Sequence, residues 1–398
     1  MTPWLHIVGI GAEGLASLSP AARSALETAE VIIGGARHHD LTAALSAERI
    51  AWPSPFDALI DTLRGLSGRR VAVLVTGDPL WFSAGAKIVR AFDPAQITFH
   101  PQLSAFQLAA ARLGWSLADV ETLTVHGRPV EQVIPAIAPA RRLLILTAGA
   151  ATPREVAQLL VERGYGPSRM TVLSDMGAAA EARLDGTADG WTQDAPAFHT
   201  LAVECLAGPG AVIASRAPGL VDAHFASDGT MTKQEVRAVT LARLMPLPGQ
   251  MLWDVGCGCG SVAVEWMRAV PAAQAVGIEP RADRRALAAT NAARLGTPGL
   301  RLVAGSAPEG LADLPAPDAV FIGGGLTPET FAIARAALRP RGRIVANAVT
   351  LETEALLIDL HRRHGGELTR IAVSRAEPVG RLTGWRPLMP VTQWSFAT

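Results

Sequence analysis

Lysine is almost absent from this chain: of its 36 lysine and arginine residues only Lys87 and Lys233 are lysines. Aspartate and glutamate also total 36, so the formal net charge is zero and no global field recruits nucleic acid or an anionic membrane. Aromatic residues make up 5% of the chain, which offers little for the stacking platform of an RNA-binding enzyme. Cysteine occurs three times, as Cys205, Cys257 and Cys259, which excludes a disulfide framework and points to a reducing cytoplasm. No apolar run approaches the roughly 18 residues of a membrane helix. The N-terminal MTPWLHIVGIGAEG lacks the basic start of a signal peptide. The expectation is a cytoplasmic protein with neither a nucleic-acid nor a membrane partner.

What the chain does contain is arginine, glycine and alternation. Arginine's planar fork pairs with carboxylates in bidentate fashion. The bias therefore suits a polycarboxylate ligand, although GC-rich codon usage also explains it. At 398 residues and 49% hydrophobic, the chain is long enough for about two domains. Apolar β-branched runs such as LHIVGIG, EVIIGG and RRVAVLVTGDP alternate with Ala/Leu/Arg segments, which argues for βαβ units and parallel sheets. The stretch PQLSAF, residues 101–106, divides the first half in two. Between Gly208 and Gly229 the periodicity loosens into Gly, Pro, Ser and Asp. This gives an expected organisation of 1–208, a linker over 209–230, and 231–398. The helix after the linker would start with Thr232 as N-cap and Glu235 completing a capping box.

Each half opens on a glycine loop after an apolar run. In LWDVGCGCGS the glycines Gly256, Gly258 and Gly260 are spaced G-x-G-x-G, with Ser261 where the nicotinamide fingerprint requires its last glycine. The next apolar run ends in Glu279, placed to accept from two ribose hydroxyls. Cys257 and Cys259 lack a second cysteine pair and read as small packing side chains, so no metal is expected. In GIGAEG, Gly9, Gly11 and Gly14 match the fingerprint literally, but the second strand ends in Gly34 and Gly35, and Glu30 stands at its wrong end. His38 and His39 read as surface residues, and His126 as a weak candidate for a cleft.

These residues carry a family resemblance. D-x-G-x-G-x-G with the acid after strand two resembles the class I S-adenosylmethionine-dependent methyltransferases. MTKQEVRAVTLARL, GSAPEGL and FIGGG extend the likeness over residues 215–398 to the decarboxylating methyltransferases of corrin biosynthesis that act on precorrin-6B. LHIVGIGAEG, VTGDP, PQLSAFQLAAARLG and LTAGAATP resemble the tetrapyrrole methylase family over about residues 3–208.

The resemblance implies an α/β architecture: a tetrapyrrole methylase fold of two α/β halves, then a Rossmann-like class I methyltransferase fold. It implies one S-adenosylmethionine per domain, held at Gly9, Gly11, Asp78, Ser104 and Ala148 in the first. In the second the contacts would be Thr232, Gly256, Cys257, Gly258, Cys259, Gly260, Glu279 and Ala307. The substrate would be a precorrin macrocycle, lying on Gly323, Gly324, Gly325 and Asn347. Arg341, Arg343, Arg375, Arg381 and Arg386 are candidates for its peripheral carboxylates. The implied chemistry is methylation of ring carbons 5 and 15, by the first and second domains respectively, and loss of carbon dioxide from the carbon 12 acetate. No general acid or base is identified. Self-association through the C-terminal domain is implied without a number. The rival readings are a nicotinamide oxidoreductase, an RNA methyltransferase, and a tetrapyrrole carrier that keeps degenerate folds.

Overall fold

The computed structural model describes residues 3–398, which form two compact units. The first comprises residues up to Val130 together with Pro139–Val212, and the second comprises Glu131–Ala138 and Ile213–Thr398. Among the described residues, no helix is long and apolar enough to cross a membrane.

The first unit holds two sheets. One is wholly parallel: β1 (Leu5–Ile10), β2 (Val31–Gly34), β3 (Glu48–Ala51), β4 (Val71–Thr76) and β5 (Ile97–His100), in the order β3-β2-β4-β1-β5. β1 and β4 are nearly continuous apolar runs because helices cover both faces of the sheet. The second sheet departs from the expected parallel order. It comprises β6 (Val120–Thr124), β7 (Arg142–Leu146), β8 (Arg169–Ser174), β9 (Ala182–Thr187) and β10 (His199–Glu204), in the order β6-β7-β10-β8-β9. Only β6 and β7 run parallel. Residues 175–181 join β8 to β9, too few for a crossover helix but enough for an antiparallel return. The break expected at residues 101–106 falls where the chain leaves β5 and enters the helix Ala105–Leu113.

The second unit is built on seven strands: β11 (Met251–Val255), β12 (Gln274–Ile278), β13 (Arg301–Val303), β14 (Ala319–Ile322), β15 (Arg343–Ala348), β16 (Glu367–Ile371) and β19 (Val391–Ala397). Their order is β13-β12-β11-β14-β15-β19-β16, with β19 antiparallel to its neighbours. Alternate residues of β11 serve opposite core layers: Leu252 packs with Trp266 and Phe321, and Trp253 with Ile344 and Trp394. A hairpin of β17 (Ser374–Val379) and β18 (Leu382–Pro387) is inserted between β16 and β19.

The stretch read as a linker is packed from residue 213 onward. Leu220 and Phe225 are buried in the core of the second unit, and the Gly219 and Leu220 amides donate to Glu265 at 2.6 and 3.0 Å. Two apolar anchors and a buried carboxylate order a segment whose composition reads as loop.

Candidate functional site

The carboxyl edge of the third sheet encloses a cavity of about 740 Å³. This is the edge where open α/β sheets place ligands. The loop after β11 turns there through Gly256, whose φ is +69°, and lies against Gly324 after β14: a β carbon on Gly256 would stand 2.9 Å from Gly324 Cα. Only bare main chain fits at position 256 at this distance, whereas a β carbon on Gly324 would stand 4.0 Å from Gly256 Cα, an ordinary contact. The helix Ser261–Ala269 then starts from Gly260.

Two acids face the cavity from adjacent strands. Glu279 is buried at the end of β12; its Oε2 accepts from Gly258 N at 3.0 Å and its Oε1 from Arg281 N at 3.1 Å. Both oxygens keep lone pairs for further donors. Asp254 is 1% exposed, its Oδ2 accepts from Ala263 N at 3.0 Å, and its Oδ1 is buried without a partner. Burial pushes the Asp254 carboxyl up to about 7, and the Glu279 charge acts in the same direction. Burial also raises the Cys257 and Cys259 thiols, which pack beside the acids as neutral groups.

Of the residues expected in this unit, Thr232, Gly256, Cys257, Gly258, Cys259, Glu279, Ala307, Gly323, Gly324, Gly325 and Asn347 all line the one cavity. Gly260 does not; it packs against Ala288, which a β carbon would approach to 3.0 Å. Thr232 lies outside its helix, whose N-cap is Lys233, and no side chain caps that end. Glu235 is drawn instead to Arg375, at 2.7 Å, so the expected capping box does not form.

Arg375 is thus occupied, held by both Glu235 and Asp222. Arg343 is buried and clamps Leu244 O, Met245 O and Gln250 Oε1. Arg341 and Arg343 stand at the start of β15, the edge opposite the cavity. Arg386 pairs with Glu377 on the hairpin, and Arg381 is exposed in its turn. None of the five lines the cavity; the cations that do are Lys233, Arg281 and Arg284, which the sequence reading passed over.

In the first unit the loops after β1, β4 and β5 meet at one sheet edge. A β carbon on Gly9 would stand 2.0 Å from Gly77 O and 3.0 Å from Gln102 N. Asp78 fixes the turn after β4 by accepting from Leu80 N at 2.7 Å. Ser104 caps the helix Ala105–Leu113 in a reciprocal capping box with Gln107. Gly9, Gly11, Asp78 and Ser104 therefore gather on three neighbouring strands. Ala148 follows β7 of the other sheet, its amide donating to Thr152 Oγ1 at 3.2 Å. β2 ends in Gly34 and is separated from β1 by β4, while Glu30 accepts from Arg70 N before β2 starts. The acid that a dinucleotide fold places beside its glycine loop is missing from the end of β2.

His38 is buried, contrary to the surface placement expected for it. Its Nδ1 accepts from Gly35 N at 3.1 Å, its Nε2 meets Thr76 Oγ1 at 3.0 Å, and burial lowers its pKa to about 4. His126 is exposed.

Fold and site together define a two-unit α/β methyltransferase. The tetrapyrrole (corrin/porphyrin) methylases match residues 4–190, and the precorrin methyltransferase domain matches residues 223–398. A Sinorhizobium precorrin-6Y C(5,15)-methyltransferase (decarboxylating) is 45% identical over 100% of this chain and 97% of its own length. The chain belongs to this family of fused precorrin methyltransferases. Two shorter relatives each match less than half of it. A Salmonella typhimurium cobalt-precorrin-7 C(5)-methyltransferase is 32% identical over 42% of the chain and 83% of its own length. A Pyrobaculum calidifontis probable cobalt-precorrin-6B C(15)-methyltransferase (decarboxylating) is 41% identical over 44% of the chain and 93% of its own length.

Methyltransferases of this family use S-adenosylmethionine. The cavity of the second unit fits that group: Glu279 offers acceptors to vicinal hydroxyls, bare main chain admits close approach, and an orphaned Asp254 oxygen awaits a partner.

Proposed function

We propose that this chain methylates a precorrin macrocycle at ring carbons 5 and 15 and removes carbon dioxide from its carbon 12 acetate, within corrin synthesis. The observation that carries the reading is full-length likeness to a fused enzyme on a chain whose second unit holds the acid-and-glycine cavity. Each unit holds its own S-adenosylmethionine: in the second at Thr232, Gly256, Cys257, Gly258, Cys259, Glu279 and Ala307, in the first at Gly9, Gly11, Asp78, Ser104 and Ala148. Separate relatives named for carbon 5 and for carbon 15 with decarboxylation support dividing the work between the units.

The sulfonium supplies an activated methyl group, so the protein's task is alignment. Holding the reacting carbon in line with the donor is worth about 7–11 kcal/mol in favourable cases, without a nucleophilic side chain. Gly323, Gly324 and Gly325 let the flat macrocycle lie close to main chain beside the donor. Incubating the whole chain with a precorrin substrate and methyl-labelled donor tests the reading: the product gains two labelled methyl groups and loses one carboxylate. A product reduced or oxidised without added methyl groups overturns it.

A further inference from the structure

The cavity of the second unit is divided by charge along the strand order. Its β11 and β12 side carries Asp254, Glu279, Arg281 and Arg284, and Lys233 joins them from the segment that reaches Arg284 through Asp228. The side formed by β15, β19 and the strand ends flanking the hairpin carries no charge among the described residues: it is Asn347, Val349, Val373, Leu388, Met389 and Val391. Among the described residues that line this lobe, Asn347 alone has an amide or hydroxyl side chain.

Its amide is held in one orientation. Asn347 faces Gln393 across the β15–β19 pairing, and Gln393 Nε2 donates to Asn347 Oδ1 at 2.9 Å and to Thr240 Oγ1 at 3.0 Å. Asn347 Nδ2 donates to the same Thr240 oxygen at 3.1 Å, and Thr240 donates to Val236 O at 2.8 Å. Thr240 and Gln393 are buried, and Gln393 Oε1 is left without a partner. One lone pair of Asn347 Oδ1 and one of its two N–H groups are engaged in this network, which leaves one donor for the cavity.

We infer that this uncharged lobe holds the substrate carboxymethyl group that is decarboxylated, with Asn347 donating to its carboxylate and Thr240 and Gln393 acting as positioning residues. This rests on the methylating and decarboxylating reading above. In the step, the bond between the methylene carbon and the carboxylate carbon breaks and carbon dioxide leaves. The electron pair passes into the conjugated macrocycle, and a proton from solvent completes the methyl group. Negative charge leaves the carboxylate during this step, so weakly polar surroundings favour the transition state over the bound ground state. A neutral donor locates the carboxylate without the tighter hold of a cation, which would oppose its departure.

The chain has two asparagines, Asn291 and Asn347, so asparagine-selective heavy-nitrogen labelling gives two side-chain amide signals from the whole wild-type chain. Asn291 is fully buried on the main chain of Ala226 and Cys259. The precorrin substrate shifts the Asn347 signal and the decarboxylated product does not; a bound substrate that moves neither signal overturns the inference. Val373→Lys, which brings a cation into the lobe, slows carbon dioxide release about tenfold, and by more than it slows methylation of an already decarboxylated substrate. Equal loss of both activities overturns the inference. Gln393→Met loosens the Asn347 amide and raises KM for decarboxylation about tenfold with donor affinity held; an unchanged KM removes Gln393 from the account. A wild-type chain that neither methylates nor decarboxylates a precorrin defeats the functional reading itself, an outcome distinct from these.

Discussion

Gly256 and Gly324 meet main chain to main chain where the loops after β11 and β14 approach, and a β carbon on Gly256 would stand 2.9 Å from Gly324 Cα. Gly256→Ala therefore forces apart the two loops that line the donor cavity and strains a residue at φ +69°. The expected outcome is loss of carbon 15 methylation, with donor affinity in the second unit lowered roughly tenfold or more for about 1–3 kcal/mol of strain. Product mass and donor calorimetry check it. Full retention of carbon 15 methylation contradicts the site.

Gly9 repeats the relationship in the first unit, where a β carbon would stand 2.0 Å from Gly77 O. Gly9→Ala should abolish carbon 5 methylation and leave carbon dioxide release intact. Analysing the product's remaining carboxylates and its methyl positions tests this; joint loss of both reactions in a folded variant contradicts the division of labour.

Arg237 and Glu265 form a buried ion pair with Nε to Oε1 at 2.6 Å, and Arg237 also holds Thr232 O and Leu220 O. This pair ties the segment before the helix Gln234–Leu244 to the core. Arg237→Ala leaves the buried Glu265 charge with its two amide donors but no counter-charge, so unfolding free energy should fall by about 3–5 kcal/mol. Denaturant titration of the whole chain measures it, and a change below about 1 kcal/mol contradicts the role.

Two buried groups give opposite pH slopes. The Asp254 carboxyl is raised from 3.8 to about 7, so its contribution is fully present below pH 4 and is lost as pH rises toward 7. His38 is lowered from 6.5 to about 4, so its contribution is present above 6.5 and is lost as pH falls toward 4. Asp254→Asn should remove the first slope, making the variant gain stability relative to wild type as pH rises from 4 to 7. His38→Gln should lose the acid-side fall. Unfolding curves across this range check both signs, and a variant parallel to wild type contradicts the assignment.

Glycine loops, strand-end acids and apolar runs were legible because each is a local pattern with a local cause. The loop after β11 and Glu279 could be read from the spacing of a few residues. The antiparallel sheet of the first unit was less legible, because its central strands β7, β8 and β10 are also largely buried apolar runs and only the short 175–181 connection betrays their direction. The arginines misled for a different reason: Arg343 and Arg375 are matched by partners far along the chain, Leu244 and Asp222, which no window of sequence brings near. Asn347 was visible at a strand end, but Thr240 and Gln393 join it only through tertiary packing. His38 read as polar and exposed because its two partners, Gly35 N and Thr76 Oγ1, satisfy it only once the helix after β2 has formed beside β4.

If each unit grips its own methyl donor, calorimetric titration of the whole chain with S-adenosylhomocysteine saturates at two equivalents, and Gly9→Ala and Gly256→Ala each remove a different one. Saturation at a single equivalent, unmoved by one of these substitutions, would contradict two separate donor sites.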